Sequence, residues 1–159
     1  MVKRVIDTIR RNHALEHATI TLMLARQGPM RVIGRAGTDG FYVFANVETD
    51  KLRAYADEAL ARLQRGEANL AITPLCGTNI AVAGVMAGVG AFAAANSRKG
   101  EAAGLFRAIT AGILAVLAAQ PVGRLVQKHY TTLADLDGVR IVSVEPVRGR
   151  LHKVRTAAA

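Results

Sequence analysis

The stretch that decides the class of fold is residues 75–97, which read LCGTNIAVAGVMAGVGAFAAANS. From Ile80 to Ala95 it contains no charged or strongly polar side chain. A helix rises about 1.5 Å per residue and a membrane span needs about 20 apolar residues, so this stretch has the required length. We therefore predict a first transmembrane helix here. The alternative is an Ala/Gly-rich helix buried in a soluble core.

A second apolar segment runs from about residue 102 to residue 126, after the polar turn 97–101. Its uninterrupted apolar part is short, because Arg107 lies near one end and Pro121 and Arg124 near the other. Arginine can extend its charge to the membrane interface, and proline is tolerated where neighbouring groups satisfy the backbone. We predict a transmembrane helical hairpin over residues 75–130, which leaves both soluble parts on the same side.

Glycines recur along both predicted helices. Gly84, Gly88 and Gly90 give the first helix a small-residue surface, and Gly104 and Gly112 offer close-packing points on the second. They are more numerous than one contact inside the hairpin needs. We therefore expect a homo-oligomer or a complex with another membrane protein.

The remaining chain predicts a small α/β domain with a long N-terminal helix and a short mixed sheet. Residues 1–74 form its main part, 131–147 return a strand to it, and 148–159 are a basic, disordered tail. The fold class is thus an α+β membrane protein, with the soluble domain interrupted by the hairpin. The expected strands are residues 30–33, 41–47, 70–73 and 139–144, and a helix begins at Thr49-Asp50 and ends at Gly66.

Residues 12–20, NHALEHATI, carry the chemistry. In a helix, His13 and His17 lie four residues apart on one face, with Glu16 beside them. At 3.6 residues per turn they continue an apolar stripe that we expect to face the core; its members are Val2, Ile6, Ile9, His13, Glu16, His17, Ile20 and Leu24.

The H-x-x-E-H spacing of these residues resembles the inverted zinc peptidases. The resemblance implies that His13 and His17 bind Zn²⁺ and that Glu16 takes a proton from a metal-bound water, whose pKa the ion lowers to about 7. The alternative is a hydrogen-bonded polar cluster without metal. Burial of an unpaired polar group costs about 2–7 kcal/mol, so either arrangement must satisfy the three side chains.

Cys76 is the single cysteine, so the chain can form no intrachain disulfide. A thiolate is a strong zinc ligand, which makes Cys76 the predicted third ligand, although a lone cysteine also occurs as a small buried hydrophobe. Glu58, His129 and Asp135 are weaker candidates for that position. His152 lies in the predicted tail, where we expect no role for it.

The net charge is +9 and the isoelectric point is near 10.6. The basic residues are scattered, no nucleic-acid-binding motif is present and aromatic residues are few, so we expect no nucleic-acid partner. The cations suit the anionic lipid of a membrane bilayer. We expect the inner (plasma) membrane, with the termini and the soluble part cytoplasmic, and no secretory signal peptide.

The chain also resembles a family of small uncharacterised bacterial membrane proteins. The resemblance covers roughly residues 10–125 and rests on four runs, NHALEHATI at 12–20, GTDGF at 37–41, EALARLQRGE at 58–67 and CGTN at 76–79. It implies the fold and implies no activity. Relatives of this kind carry a histidine where this chain has Thr73, which leaves Cys76 as the matched ligand candidate in that region.

Two functions follow from these residues. The first is a membrane-embedded zinc-dependent hydrolase, expected to be a peptidase that acts next to the bilayer. The second is a non-enzymatic membrane subunit or scaffold, in which the His/Glu cluster is structural and the glycine faces contact a partner.

Overall fold

The computed structural model describes residues 2–96 and 101–158. They form two compact units. One unit combines the chain up to Thr73 with the chain from Lys128 onward, and the other is Pro74–Gln127. The first unit contains a sheet and is called the sheet unit below; the second is called the hairpin unit. The α+β class is confirmed.

The sheet has four antiparallel strands in the order β1-β2-β4-β3: β1 (Val32–Gly37), β2 (Gly40–Ala45), β3 (Val139–Arg148) and β4 (Leu151–Ala158). The prediction of a mixed sheet was therefore wrong. Strands β1 and β2 form the expected hairpin, although β1 begins two residues later than predicted. It also ends four residues later, at Gly37, because the turn needs only Thr38 and Asp39. Gly40 has a φ of +128°, and a side chain there would overlap the backbone of Val154 on β4.

The predicted disordered tail is instead a central strand. Strand β4 pairs with both β2 and β3 along most of its length. The alternation of its side chains between the two faces of the sheet explains the error. Val154 and Thr156 point toward the helices, while Lys153 and Arg155 point to the other face. These cations make the sequence resemble a basic segment exposed to solvent.

Two helices cover one face of the sheet, namely α1 (Val2–Gln27) and α2 (Thr49–Gln64). The core between helices and sheet is built from Leu15, Ala18, Leu22, Met23, Phe41, Val43, Leu52, Ala56, Leu63 and Val154. Burial of these side chains contributes roughly 1.5–3 kcal/mol for each large apolar residue. The long N-terminal helix is confirmed.

The buried stripe of α1 differs from the predicted one. Burial begins at Asn12 and continues through Leu22 and Met23, whereas Val2, Ile6 and Ile9 are exposed. Thr19, which the predicted stripe left out, is fully buried and donates a hydrogen bond to the Leu15 carbonyl. The sheet is too short to cover the first two turns of the helix.

Between α2 and the hairpin unit, the expected strand at residues 70–73 is absent. A short 3₁₀ helix, Ala68–Ala71, takes its place. Helix α2 ends close to the predicted residue, with Gly66 at a φ of +90°, but its N-cap is Glu48 rather than Thr49 or Asp50.

The hairpin unit consists of α3 (Gly77–Ala95) and α4 (Glu101–Val126), and the chain continues from α4 into a π-helical turn, Gln127–Thr131, that enters the sheet unit. A Cβ at Gly90 would contact Ala111 and Ala115 on α4, and one at Gly112 would contact Ala87 and Ala91 on α3. Among the described residues, Gly84 and Gly88 have no such neighbour within 4 Å. The expected polar turn falls largely on residues 97–100, which lie outside the described residues.

Two helices of the chain are long and apolar enough to cross a membrane, Gly77–Ala95 and Ala103–Thr131. Only 6% of the most apolar window of each is buried inside the protein, whereas the core helix of a soluble protein would be mostly buried. Large apolar side chains such as Val85, Phe92, Phe106 and Leu117 are exposed.

Candidate functional site

Two of the three predicted residues of α1, His13 and His17, meet in the sheet unit, while the Glu16 carboxylate lies against Gly34 on β1. Glu16 and His17 are buried and His13 is half-buried. The His13 and His17 rings lie edge to face, with centroids 4.3 Å apart, and one ring nitrogen of each lies within 4.8 Å of the other. This separation follows from their spacing of one helical turn, and it is short enough for one ion to bind both rings.

Backbone carbonyl groups fix both imidazole rings. Nδ1 of His17 lies 2.7 Å from the carbonyl oxygen of Ala71, and Nδ1 of His13 lies 2.9 Å from that of Thr131. A carbonyl oxygen only accepts hydrogen bonds, so each Nδ1 donates its proton, and the lone pair of each neutral ring is on Nε2. Histidines that bind metals characteristically have this arrangement, in which the second nitrogen donates to a carbonyl or carboxylate.

A glycine on β1 makes room for the Glu16 carboxylate. A Cβ at Gly34 would overlap Oε1 and Cδ of Glu16 and also Cδ1 of Ile20. Every other residue type would therefore displace the carboxylate. A glycine inside a strand marks a close approach of another group, but the predicted strand 30–33 ends before Gly34, so this contact was not predicted.

Further buried polar groups tie α1 to the sheet on the same helical turn. The Asn12 amide donates to the Gly37 carbonyl at 2.8 Å and accepts from the Thr156 hydroxyl at 2.6 Å. Neither Asn12 nor Thr156 was predicted as part of the site. To predict the hydrogen bond between them, β4 would have had to be recognised as a strand. The hydrogen bonds hold the helix in one register against the sheet beside the His/Glu cluster.

The sheet carries one strongly paired carboxylate near this end. Asp39, in the turn between β1 and β2, accepts hydrogen bonds from Lys153 at 2.7 Å and from Arg155 at 3.3 Å. The Lys153 ammonium, with a smaller contribution from Arg155, holds the pKa of Asp39 below its ordinary value of 3.8. The Lys153 ammonium also lies 4.2 Å from the centre of the Tyr42 ring, a cation–π contact.

Cys76 lies in the hairpin unit, where it is the N-cap of α3. Its buried thiol accepts a hydrogen bond from the Thr78 backbone N–H at 3.4 Å. The next turn is held by Asn79, which donates to the Pro74 carbonyl and accepts from the buried Gln127 amide, both within 2.9 Å. Donation from backbone N–H groups at a helix N-terminus favours the thiolate, the form of cysteine that binds metal.

The weaker third-ligand candidates of the sequence have other partners in the sheet unit. Glu58 pairs with Arg26, and Asp135 pairs with Arg11 at 3.3 Å. His129 lies exposed on the π-helical turn, and its carbonyl accepts from Arg10. His152 is buried on β4 opposite Val43, so the prediction that it lies in a tail was wrong.

The comparisons with known proteins give the family. A family model described as a domain of unknown function, DUF6391, matches residues 8–144. The chain belongs to this family. An uncharacterized protein of the cyanobacterium Picosynechococcus sp. is 37% identical in an alignment 139 residues long, which covers 81% of this chain and 68% of that protein. No solved structure matches the chain. The resemblance to an uncharacterised family is confirmed, and its description names no activity.

Proposed function

We propose that the chain is a membrane-embedded zinc-dependent hydrolase that cleaves peptide bonds close to the bilayer. The observation that carries the proposal is the pair of hydrogen bonds from His13 Nδ1 and His17 Nδ1 to backbone carbonyls. The ring nitrogens of a structural histidine can form hydrogen bonds with many kinds of partner. Two rings one turn apart, each oriented by a carbonyl through the same nitrogen, make a donor pair suited to a metal.

The donor set fits zinc, for which nitrogen and sulfur are preferred ligands. We propose Cys76 as the third ligand, from its chemistry and its place in the chain. It follows Ala71, the residue whose carbonyl orients His17, by five positions. At about 3.3–3.6 Å per residue, the chain keeps the two Cα atoms within roughly 18 Å of each other.

Glu16 is the proposed general base. When bound, zinc would supply a Lewis acid that makes water acidic near neutral pH. The Glu16 side chain is buried, and its carboxylate lies in the space that Gly34 leaves free. We propose that this packing holds the carboxylate in one place to take the proton. A base that is held rigidly needs little reorganisation during the reaction.

The substrate class follows from the apolar helices. We propose that α3 and α4 span the inner (plasma) membrane with the sheet unit on its cytoplasmic side. Thr73 ends the sheet unit and α3 begins at Gly77, while Lys128 resumes the sheet unit two residues after α4. These short connections keep the sheet unit at the bilayer surface, where membrane-proximal peptide segments are the accessible substrates.

Metal analysis of the detergent-purified protein tests the proposal. We expect about one zinc per chain in the wild type, lost in His13→Ala and in His17→Ala and retained in Glu16→Gln, because the glutamate is a base and not a ligand. His129→Ala is the matched control, since it removes an exposed histidine and should leave the zinc content unchanged. Folded wild type without zinc, or zinc retained after removal of both histidines, would contradict the proposal.

Activity is tested separately with a library of unlabelled peptides whose cleavage is followed by mass spectrometry. Wild-type protein should cleave peptide bonds, and Glu16→Gln should lower the rate by 10²-fold or more, about the contribution of a positioned general base, at unchanged zinc content. Equal rates for wild type and Glu16→Gln would exclude the hydrolase. A metal-free, folded and inactive protein would instead favour the scaffold function.

A further inference from the structure

The first two turns of α1 extend beyond the core and expose an apolar stripe. Val2 is 73% exposed and Ile6 is 50% exposed, and Val5 and Ile9 lie on the same side. At 100° per residue these four side chains fall within a sector about 100° wide. An exposed stripe of four β-branched residues is unfavourable in water, so a surface outside the sheet unit is needed to cover it.

The opposite side of the same turns is polar and mostly basic. Lys3 and Arg4 are exposed there, and Asp7 pairs with Arg10 at the border between the two sides. Arg11 also lies on the polar side, paired with Asp135. A helix with β-branched residues on one side and cations on the other has the composition of helices that lie in the interface of an anionic membrane.

Hydrogen bonds within the sheet unit join this part of α1 to the end of the second apolar helix. The Arg10 guanidinium donates to the carbonyls of His129 and Thr132, and the Leu133 N–H donates to the Arg10 carbonyl. His129 belongs to the apolar helix Ala103–Thr131 that could cross a membrane. Arg10, the residue that follows Ile9 at the end of the stripe, is therefore bonded to the last turn of that helix.

The residues that follow α4 have the same character as the helix. Tyr130 is 74% exposed and Lys128 is exposed beside it. Tyrosine and lysine are typical of the ends of membrane spans, where the ring lies among the headgroups and the ammonium reaches the phosphates. Membrane-interface chemistry thus also occurs on the turn to which Arg10 is hydrogen-bonded.

We infer that residues 2–9 of α1, together with Lys128 and Tyr130, form a docking surface for anionic phospholipid. Val2, Val5, Ile6 and Ile9 enter the boundary between headgroups and acyl chains, and Lys3 and Arg4 bind lipid phosphates. The inference rests on the membrane location in the proposed function. It adds that the first turns of α1 lie in the interface between membrane and water. His13, Glu16 and His17 continue the same helical face, so they come next along the helix after the lipid-bound turns.

The chain contains no tryptophan, so one substitution gives a single fluorescent reporter in the full-length protein. We would place it with Ile6→Trp, in nanodiscs made of phosphatidylglycerol and phosphatidylcholine, with some lipids brominated on the acyl chains. Contact with lipid predicts blue-shifted emission and strong loss of intensity with brominated lipid. The matched control, Thr8→Trp, lies on the polar side of the same helix and should emit at longer wavelength without quenching.

A second control separates this inference from the proposed membrane location. Phe92→Trp reports on α3, where Phe92 is 73% exposed, and should be quenched if the hairpin unit is in the bilayer. Quenching at position 92 without quenching at position 6 would overturn the lipid surface alone. Absence of quenching at both positions would overturn the surface and the membrane location together. Blue-shifted but unquenched emission at position 6 would show that protein, such as a second copy, covers the stripe, and would also overturn the inference.

The charge contribution has its own test in the Ile6→Trp background. Each cation near an anionic surface contributes about 1 kcal/mol, so removal of one lowers interfacial binding about fivefold. Lys3→Gln with Arg4→Gln should therefore abolish the extra quenching that phosphatidylglycerol gives over pure phosphatidylcholine. Arg53→Gln, on the exposed side of α2, should not change it. Quenching that is independent of lipid charge in the Arg53→Gln control as well as in the double variant would contradict phosphate binding by Lys3 and Arg4.

Discussion

Helix α1 and the two helices of the hairpin unit arrange polar and apolar residues in opposite ways. From Asn12 onward, α1 buries an amide, a carboxylate and an imidazole, each within a packed sheet unit. Helices α3 and α4 expose nearly all of their large apolar side chains and bury chiefly Asn79 and Ala119. The two regions therefore suit different solvents: a buried apolar core is typical of a domain in water, and exposed apolar helices are typical of a segment in lipid.

The contrast is most direct for two phenylalanines. Phe41 is fully buried on β2, whereas Phe92 is 73% exposed on α3. We expect Phe41→Ala to lower the free energy of unfolding by about 3–5 kcal/mol because it leaves a cavity. Phe92→Ala should change it by about 0.5 kcal/mol or less, as exposed positions do. Denaturant unfolding in detergent measures both, and equal losses would contradict the difference between the regions.

The next largest effect concerns the space for the Glu16 carboxylate. Gly34→Ala should destabilise the sheet unit by about 1–3 kcal/mol, the usual cost of overpacking, and should lower the hydrolysis rate at unchanged zinc content, because the displaced carboxylate is the proposed base. Gly37→Ala on the same strand is the control, because its Cβ would have only ordinary contacts at 3.7 Å and beyond. If Gly34→Ala matches Gly37→Ala in thermal unfolding, the carboxylate is not held against the glycine.

A smaller effect, on the order of 1 kcal/mol, should separate two kinds of glycine in the hairpin unit. Gly90 packs against α4, so Gly90→Leu should weaken the hairpin itself. Gly84 and Gly88 have no neighbour on α4 among the described residues, so a double leucine variant should leave the hairpin folded and reduce self-association. Light scattering in detergent measures the association. A wild type that is monomeric at all protein concentrations would rule out the homo-oligomer.

The smallest effect is the pH dependence that Asp39 gives to the sheet unit. Because Lys153 lowers its folded pKa below 3.8, the ionised carboxylate stabilises the fold above that pH, and the contribution is lost as pH falls through the folded pKa. Asp39 is more than half exposed, so solvent screening leaves about 0.5 kcal/mol. Urea unfolding should show Asp39→Asn less stable than wild type at neutral pH and equal to it near pH 2. A difference that persists at low pH would contradict an ionic origin.

The sequence predicted those parts of the fold that follow from local pattern. The apolar lengths of α3 and α4, the long α1 and the β1–β2 hairpin all depend on composition and turn chemistry within a few residues. The tail was mispredicted because strand β4 gains its stability from pairing with β2 and β3, which are distant in sequence. The exposed start of α1 was missed for a related reason, since periodicity shows a stripe and does not show what covers it.

The site was predictable to a similar extent. The spacing of His13 and His17 gives the contact of their rings directly, because they lie one helical turn apart. The carbonyls that orient the rings, from Ala71 and Thr131, come from distant parts of the chain. Every residue type has a backbone carbonyl, so the sequence does not reveal these two partners. Gly34 lies just after the predicted strand 30–33, and its contact with Glu16 depends on how the helix packs on the sheet.

Zinc K-edge X-ray absorption of the purified protein tests the central claim most directly, because it identifies the atoms bound to the ion. The proposed site predicts two imidazole nitrogens at about 2.0–2.1 Å and one sulfur at about 2.3 Å. The sulfur signal should disappear in Cys76→Ser, while both nitrogens remain. A wild-type spectrum without sulfur would remove Cys76 from the site. A spectrum without imidazole would contradict a zinc site on α1.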